Sequence, residues 1–178
     1  MTGWTVTAGS VDWISTYWVA ADGSRSLDMN GDSPGSIAQT FATVSGDSYF
    51  VSFWLAGNPA GGPTTKTLDV SVGGAPTLYT FTNSSSTTLA SMGWVSEGYT
   101  FTASSNSTTL TFSGDPSNTT AYGPALDNVS LTQIVANGDQ CKNGGWQIGT
   151  NPSTGLPYKN QGQCVSYFAT SGATPIGS

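Results

Sequence analysis

Residues 48–57 read SYFVSFWLAG. In an extended chain successive side chains point to opposite faces. That alternation sets Tyr49, Val51, Phe53 and Leu55 on one side of the stretch, with Phe50 and Trp54 on the other. Large apolar groups on both sides predict a central strand buried on both faces.

The neighbouring stretches repeat the two-residue period. TKTLDVSV (65–72) turns Leu68, Val70 and Val72 inward and Asp69 and Ser71 outward. WTVT sets Trp4 and Val6 against Thr5 and Thr7, and SIAQTFATV places Ile37 and Phe41 on one parity. TLYTFTN, WVSEGYTFTA, STTLTFSG and ALDNVSLTQI continue the series, separated by NGDSPG, GNPAGGP and SGDPSN. Gly, Pro, Asn and Asp at such junctions are turn formers. Nine or ten short strands spaced this way predict an all-β chain folded as a two-sheet jelly-roll sandwich. No run sustains a 3.6-residue period between caps, so little helix is expected.

Composition narrows the functional classes. Only 8% of the 178 residues are charged, against about 25% in an average domain. Ser, Thr, Gly and Asn supply the polarity, while 11% aromatic residues supply a core. The net charge is −6, with Arg25, Lys66, Lys142 and Lys159 as the four cations. Nucleic acid and anionic membrane surfaces both need clustered cations, so neither is an expected partner. The chain has no histidine, which excludes a Ser-His-Asp triad and His-ligated zinc. Metal chemistry, if present, is that of oxygen ligands and calcium. No apolar run is long enough for a membrane-spanning helix. MTGWTVTAG lacks the pattern of a secretion signal, so Met1 is read as opening a mature domain.

After Ile134 the composition turns rich in Gly, Asn and Gln. Residues 1–135 are therefore read as the sandwich and 136–178 as a short extension. Outside the cytosol Cys141 and Cys164 should join, stapling a segment too small to bury a core of its own. GTNPSTGLP is read as a hairpin tip between GGWQI and YKNQGQCVSYF.

Four segments, GSVDWI, ADGSRSLDMNGDSPGSIAQTF, SFWLAGNP and YGPALDNVSL, occur in this order. Together they resemble the bacterial choice-of-anchor C proteins and related plant cell-wall domains of unassigned function, over about residues 3–134. The resemblance implies a galactose-binding-like jelly roll outside the cell, associated with cell-wall polysaccharide and without catalysis. It also implies an opening strand ahead of the Gly3-Trp4 segment that this chain lacks. A sheet edge left open invites cover from the C-terminal tail or from another molecule; the alternative is that the chain is a truncation.

Within that frame the candidate ligand residues are Asp12, Trp13, Tyr17 and Trp18 in VDWISTYWVAADG, and Asn58 in LAGNPAGGP. Sugars are held by aromatic rings under their apolar faces and by amides and carboxylates on their hydroxyls, in a concave site of this kind. Alternation separates Trp13 from Asp12, so the two share a ligand only if the strand ends between them. Trp13 is read either as core or as site, and Asn58 either as a sugar-binding amide or as a turn residue before Pro59. Asp127 shares the parity of Ala125, Val129 and Leu131, and a core-facing carboxylate is costly unless paired. The resemblance would make it a ligand of a structural calcium, completed around Asp22. The alternative is Asp127 bonded to Arg25 or to backbone amides. Glu97 is the single glutamate, and no carboxylate spacing suggests hydrolysis. The sequence thus predicts a secreted, non-enzymatic polysaccharide-binding module that requires no cofactor. The rival is a structural subunit of a fibre or surface layer, self-associating through an open sheet edge or its tail.

Overall fold

The SYFVSFWLAG stretch is the longest strand but one of a computed structural model that describes residues 1–142, 144–151 and 156–170. This strand, β5 (Ser48–Gly57), lies between β10 (Pro124–Ile134) and β8 (Val95–Thr102), both antiparallel to it. Beyond β10 come β3 (Ser26–Asp28) and β2 (Asp12–Ile14), giving the order β2-β3-β10-β5-β8. The facing sheet runs β1-β4-β9-β6-β7, from Thr5–Ala8, Ser36–Ala42, Ser107–Gly114, Thr65–Val72 and Thr77–Thr82. The expected all-β sandwich is the observed fold.

The core fills the space between the sheets. Tyr49, Val51, Phe53 and Leu55 are all buried, as their parity predicts. Phe53 meets Phe112 and Tyr79 edge-on at centroid distances of 5.2 and 5.1 Å, a geometry favoured by the ring quadrupoles. Leu68 and Val70 of β6 and Ile37 of β4 close the other side, and Phe41 is half-buried at its margin.

The second face of β5 corrects the sequence reading. Phe50 is 41% exposed and Trp54 is half-buried, so β5 is central but covered on one side only. Antiparallel sheets can leave one face to solvent. The Phe50 ring reaches over Gly98 of β8, where an added Cβ would come within 2.5 Å of it.

β10 supplies a second correction. Between Asp127 and Ser130 the register with β5 slips by one residue, a β-bulge with Asn128 at φ 45°. A bulge inserts one residue and reverses the parity beyond it. Leu126 therefore faces the core opposite Leu55, and Leu131 does so opposite Val51, while Ala125 and Asp127 sit on the outer face opposite Ala56 and Trp54. Asp127 is not the core-facing carboxylate that strict alternation predicts.

The extension packs on the sandwich. Its strand β11 (Gly149–Thr150) runs parallel to the end of β10, and the Cys141–Cys164 disulfide forms as expected. Val135, Cys141, Tyr158 and Cys164 make a small buried cluster. Asp47 of the sandwich accepts hydrogen bonds from Gln133 and from Gln140 (2.7 Å for the latter) and ties the two parts together. The segments flanking the predicted hairpin tip are not two long strands: CVSYF lies in helix α2 (Gln161–Thr170), and GGWQI contains a helical turn, α1 (Gly145–Ile148). Asn160 Oδ1 accepts from the Gln163 amide at 2.8 Å while Gln163 Oε1 accepts from the Lys159 amide at 2.6 Å. This reciprocal arrangement is close to a capping box, and it was legible as Asn-x-x-Gln. Most of the predicted hairpin tip, residues 152–155, lies outside the described residues, though Asn151 and Leu156 bond across its base at 2.9 Å.

Candidate functional site

Alternation along β5 carries Ser48, Phe50, Ser52 and Trp54 to the outer face, and pairing extends each into a row. Thr132, Phe50 and Thr100 form one row, Ser130, Ser52 and Gly98 the next, and Asp127, Trp54 and Ser96 the third. Trp94, just before β8, shares the parity of Ser96. The surface is thus a line of aromatic rings bordered by hydroxyls. Among the described residues of these rows the one charged side chain is Asp127, and it is already engaged.

At one end the loop of residues 15–25 folds over this face. Trp18 is 3% exposed, packs on Ala56, Ala125 and Met92, and donates from Nε1 to Ser26 Oγ at 2.7 Å. Asp127 Oδ2 accepts from the amides of Ala21 (2.8 Å) and Asp22 (3.0 Å), and its Oδ1 accepts from the Asn128 amide at 2.7 Å. The Val19 amide donates to Leu89 O, and Trp94 Nε1 donates to Val19 O, both at 2.9 Å. These bonds hold Tyr17 49% exposed at a cleft of about 540 Å³, lined with Thr16, Val19, Ser24 and Leu89.

The predicted site residues are therefore scattered. Tyr17 lines the cleft, and Trp18 is its buried foundation rather than a sugar platform. Trp13 pairs with Leu27 on the inward parity, yet it is 49% exposed because β2 is an edge strand. Asp12 pairs with Asp28 on the opposite parity, so Asp12 and Trp13 do not meet at one ligand. Asn58 is buried: its Nδ2 donates to Asp28 Oδ2 at 2.8 Å and its Oδ1 accepts from the Ala60 amide at 3.0 Å. Its role in the structure is that of the turn residue.

Asn58 belongs to an internal polar clasp. Asp28 Oδ1 accepts from the amides of Asn30 and Gly123, each at 3.0 Å. Asn30 Nδ2 donates to Asn118 O and Thr120 O, each at 2.9 Å. Lys66, 1% exposed, donates to Gly61 O (2.8 Å) and Tyr122 O (2.6 Å). Burial raises the Asp28 carboxyl to about 6 and lowers Lys66 to about 8. The LDMNG, AGNP and YGPALDN segments that carry the family resemblance converge here. What they build is a buried junction between loops.

Asp127 is engaged by backbone amides, one of them from Asp22. Three backbone N–H groups point at the Asp127 oxygens, and Asp22 contributes a donor rather than a carboxylate there. Their positive ends take three of the carboxylate's roughly four acceptor positions, the backbone-amide alternative read from the sequence. Among the described residues no group of three or more His, Cys, Asp or Glu side chains is placed to hold a metal ion.

Sequence reasoning missed Phe50 and Trp54 as surface residues. The available signal was the partner strand: Ser96, Gly98 and Thr100 offer that face nothing to bury it with.

Residues 1–132 match the family described as "Protein of unknown function (DUF642)", nearly the span of the resemblance read from the sequence. Halomucin of Haloquadratum walsbyi is 30% identical over 134 residues, which are 75% of this chain and 1% of halomucin. The chain thus spans a very small part of that relative. Among solved structures, a "Family 16 Carbohydrate Binding Module-2" aligns with TM-score 0.51 and 15% identity over 74% of this chain and 92% of its own. A family 35 carbohydrate binding module from Clostridium thermocellum aligns with TM-score 0.50 and 17% identity, over 72% and 90%. At such identities the likeness is one of fold, and the fold is the jelly-roll sandwich.

Proposed function

Because this chain belongs to the DUF642 family, whose description assigns no activity, the function rests on the site, and we propose that it is a non-catalytic module binding polysaccharide outside the cell. The observation that carries this reading is the charge-poor outer face of the β5 sheet, where Phe50 and Trp54 lie among serine and threonine hydroxyls beside the Tyr17 cleft. Rings can lie under the apolar faces of sugars, and hydroxyls exchange hydrogen bonds with theirs. The lack of free charge favours a neutral chain over a polyanion. The carbohydrate-binding modules that share the fold support the same class of ligand, and the disulfide suits an oxidising compartment. Kinship with the choice-of-anchor C proteins, and a division at residue 135, belong to the same proposal.

Affinity electrophoresis against neutral polysaccharides tests it. Phe50→Ala, Trp54→Ala and Tyr17→Ala should each weaken binding by about tenfold or more, since stacking contacts are worth roughly 1–3 kcal/mol. The melting temperature of the Phe50 and Tyr17 variants should move little. Undiminished retardation in all three variants would defeat the reading.

A second reading, a subunit of an extracellular assembly, has one observation in its favour. The outer strands of the facing sheet, TVTA in β1 and TLYTFT in β7, carry no charge and no proline to discourage edge pairing. Pairing of β7 with β1 of the next copy would be head-to-tail and open-ended. Sedimentation velocity across a hundredfold concentration range should then show growing species; an unchanged monomer removes it.

A further inference from the structure

The two sheets treat their surface hydroxyls differently. On the outer side of the facing sheet, hydroxyls on neighbouring strands bond to each other: Ser36 with Ser113 at 2.9 Å, Thr40 with Thr109 at 2.8 Å and Thr65 with Thr82 at 3.0 Å. On the outer side of the β5 sheet, Ser48 and Thr102 bond at one end, at 3.3 Å. Beyond that pair, the hydroxyls of Thr100 and Ser96 on β8, and of Thr132 and Ser130 on β10, make no hydrogen bond among the described residues. The cause is the strand between them. β5 carries Phe50 and Trp54 there, and holds the two lines of hydroxyls about 10 Å apart, two strand spacings. Each hydroxyl keeps its capacity to donate and to accept.

The rings follow one another along β5. Phe50 and Trp54 are four residues apart, about 13 Å of strand, and the Phe50 ring leans over Gly98. Between them lies Ser52, with Ser130 and Gly98 at its sides, so the floor carries only small side chains. Past Trp54 the track is closed, because Trp18 packs on Ala56 and Ala125. A ligand lying across the strands meets one ring and one hydroxyl on either side. A ligand lying along β5 meets both rings and both lines of hydroxyls.

We infer that the polysaccharide lies lengthwise on β5, and that the site takes a run of about three or more consecutive sugars, the length that covers both rings, rather than a single terminal sugar. This deepens the polysaccharide-binding reading and rests on it. Contacts made by one chain reinforce each other, since the second forms within the complex made by the first. A monosaccharide reaches one ring and lacks that gain.

The test uses the whole chain. Mannan, dextran, β-glucan and unsubstituted xylan are screened by affinity electrophoresis, and the retained polymer is cut to its monosaccharide and its hexasaccharide for calorimetry. The hexasaccharide should bind about a hundredfold more tightly than the monosaccharide. Phe50→Ala and Trp54→Ala should each weaken hexasaccharide binding by about tenfold or more. Trp54 is half-buried, so the unmutated chain supplies a second measurement. On adding hexasaccharide, the amide resonances of Ser96, Gly98 and Thr100 should shift together with those of Ser130 and Thr132. Shifts confined to one cross-strand row would overturn the lengthwise placement, as would lost affinity in only one of the two ring variants. A monosaccharide binding as tightly as the hexasaccharide would overturn the requirement for a run of sugars. In each of those outcomes polysaccharide binding itself still stands. If none of the polymers is retained, that reading and this inference fall together.

Discussion

Trp18→Ala should lower the unfolding free energy by about 3–5 kcal/mol, the cost of emptying a large aromatic site in a core. The expectation comes from position. Trp18 is sealed, its indole N–H is bonded to Ser26, and its ring covers Ala56 and Ala125 where the loop crosses the outer face. Its neighbour Tyr17, 49% exposed, should change stability by less than about 1 kcal/mol when truncated. Urea denaturation of the two variants makes the comparison. The contrast also guards the glycan reading. Trp18→Ala should weaken glycan binding by loosening the loop, with a matching loss of stability. Tyr17→Ala should weaken it with stability intact. Equal stability in both variants would show that Trp18 is not the loop's foundation.

The second large effect is a rise in stability on mild acidification. The Asp28 carboxyl is raised from 3.8 to about 6, chiefly by burial, against the three hydrogen bonds it accepts. A carboxyl raised on folding favours the folded state fully below about pH 4, and that contribution disappears as pH climbs through about 6. The term is on the order of 3 kcal/mol. The urea midpoint should therefore increase between pH 7 and pH 4.5, the reverse of ordinary acid denaturation. Asp115, which Ser117 holds below its usual range through a hydroxyl and an amide, opposes this only at still lower pH. Asp28→Asn should flatten the profile between pH 4.5 and 7. Asp28→Ala should destabilise at every pH, since Asn30, Gly123 and Asn58 would each keep an unanswered donor. A wild-type midpoint that is level or falling from pH 7 to 4.5 would show that Asp28 is ionised in the fold without penalty.

Both predictions turn on features the sequence signalled unevenly. Lys66 shares the parity of Leu68 and Val70 in TKTLDVSV, so its burial is legible in the alternation itself. That its ammonium ends on two loop carbonyls, 5 and 56 residues away in the chain, is not. Asp127 misled because alternation presumes an unbroken strand, and the bulge at Asn128 breaks it. Asn58 misled because a polar residue in a Gly/Pro loop reads as exposed, while here the loop folds inward onto Asp28.

What the chain's order of residues determined by itself is local: where it extends, where it turns, which side of most strands is apolar, and that two cysteines close the tail. These follow from steric and solvation preferences spanning a few residues. The tertiary structure alone decided which aromatics stay in water, because Phe50, Trp54 and Trp13 owe their exposure to what lies beside or across from them. Burial is a relation between distant segments, and only their packing fixes it.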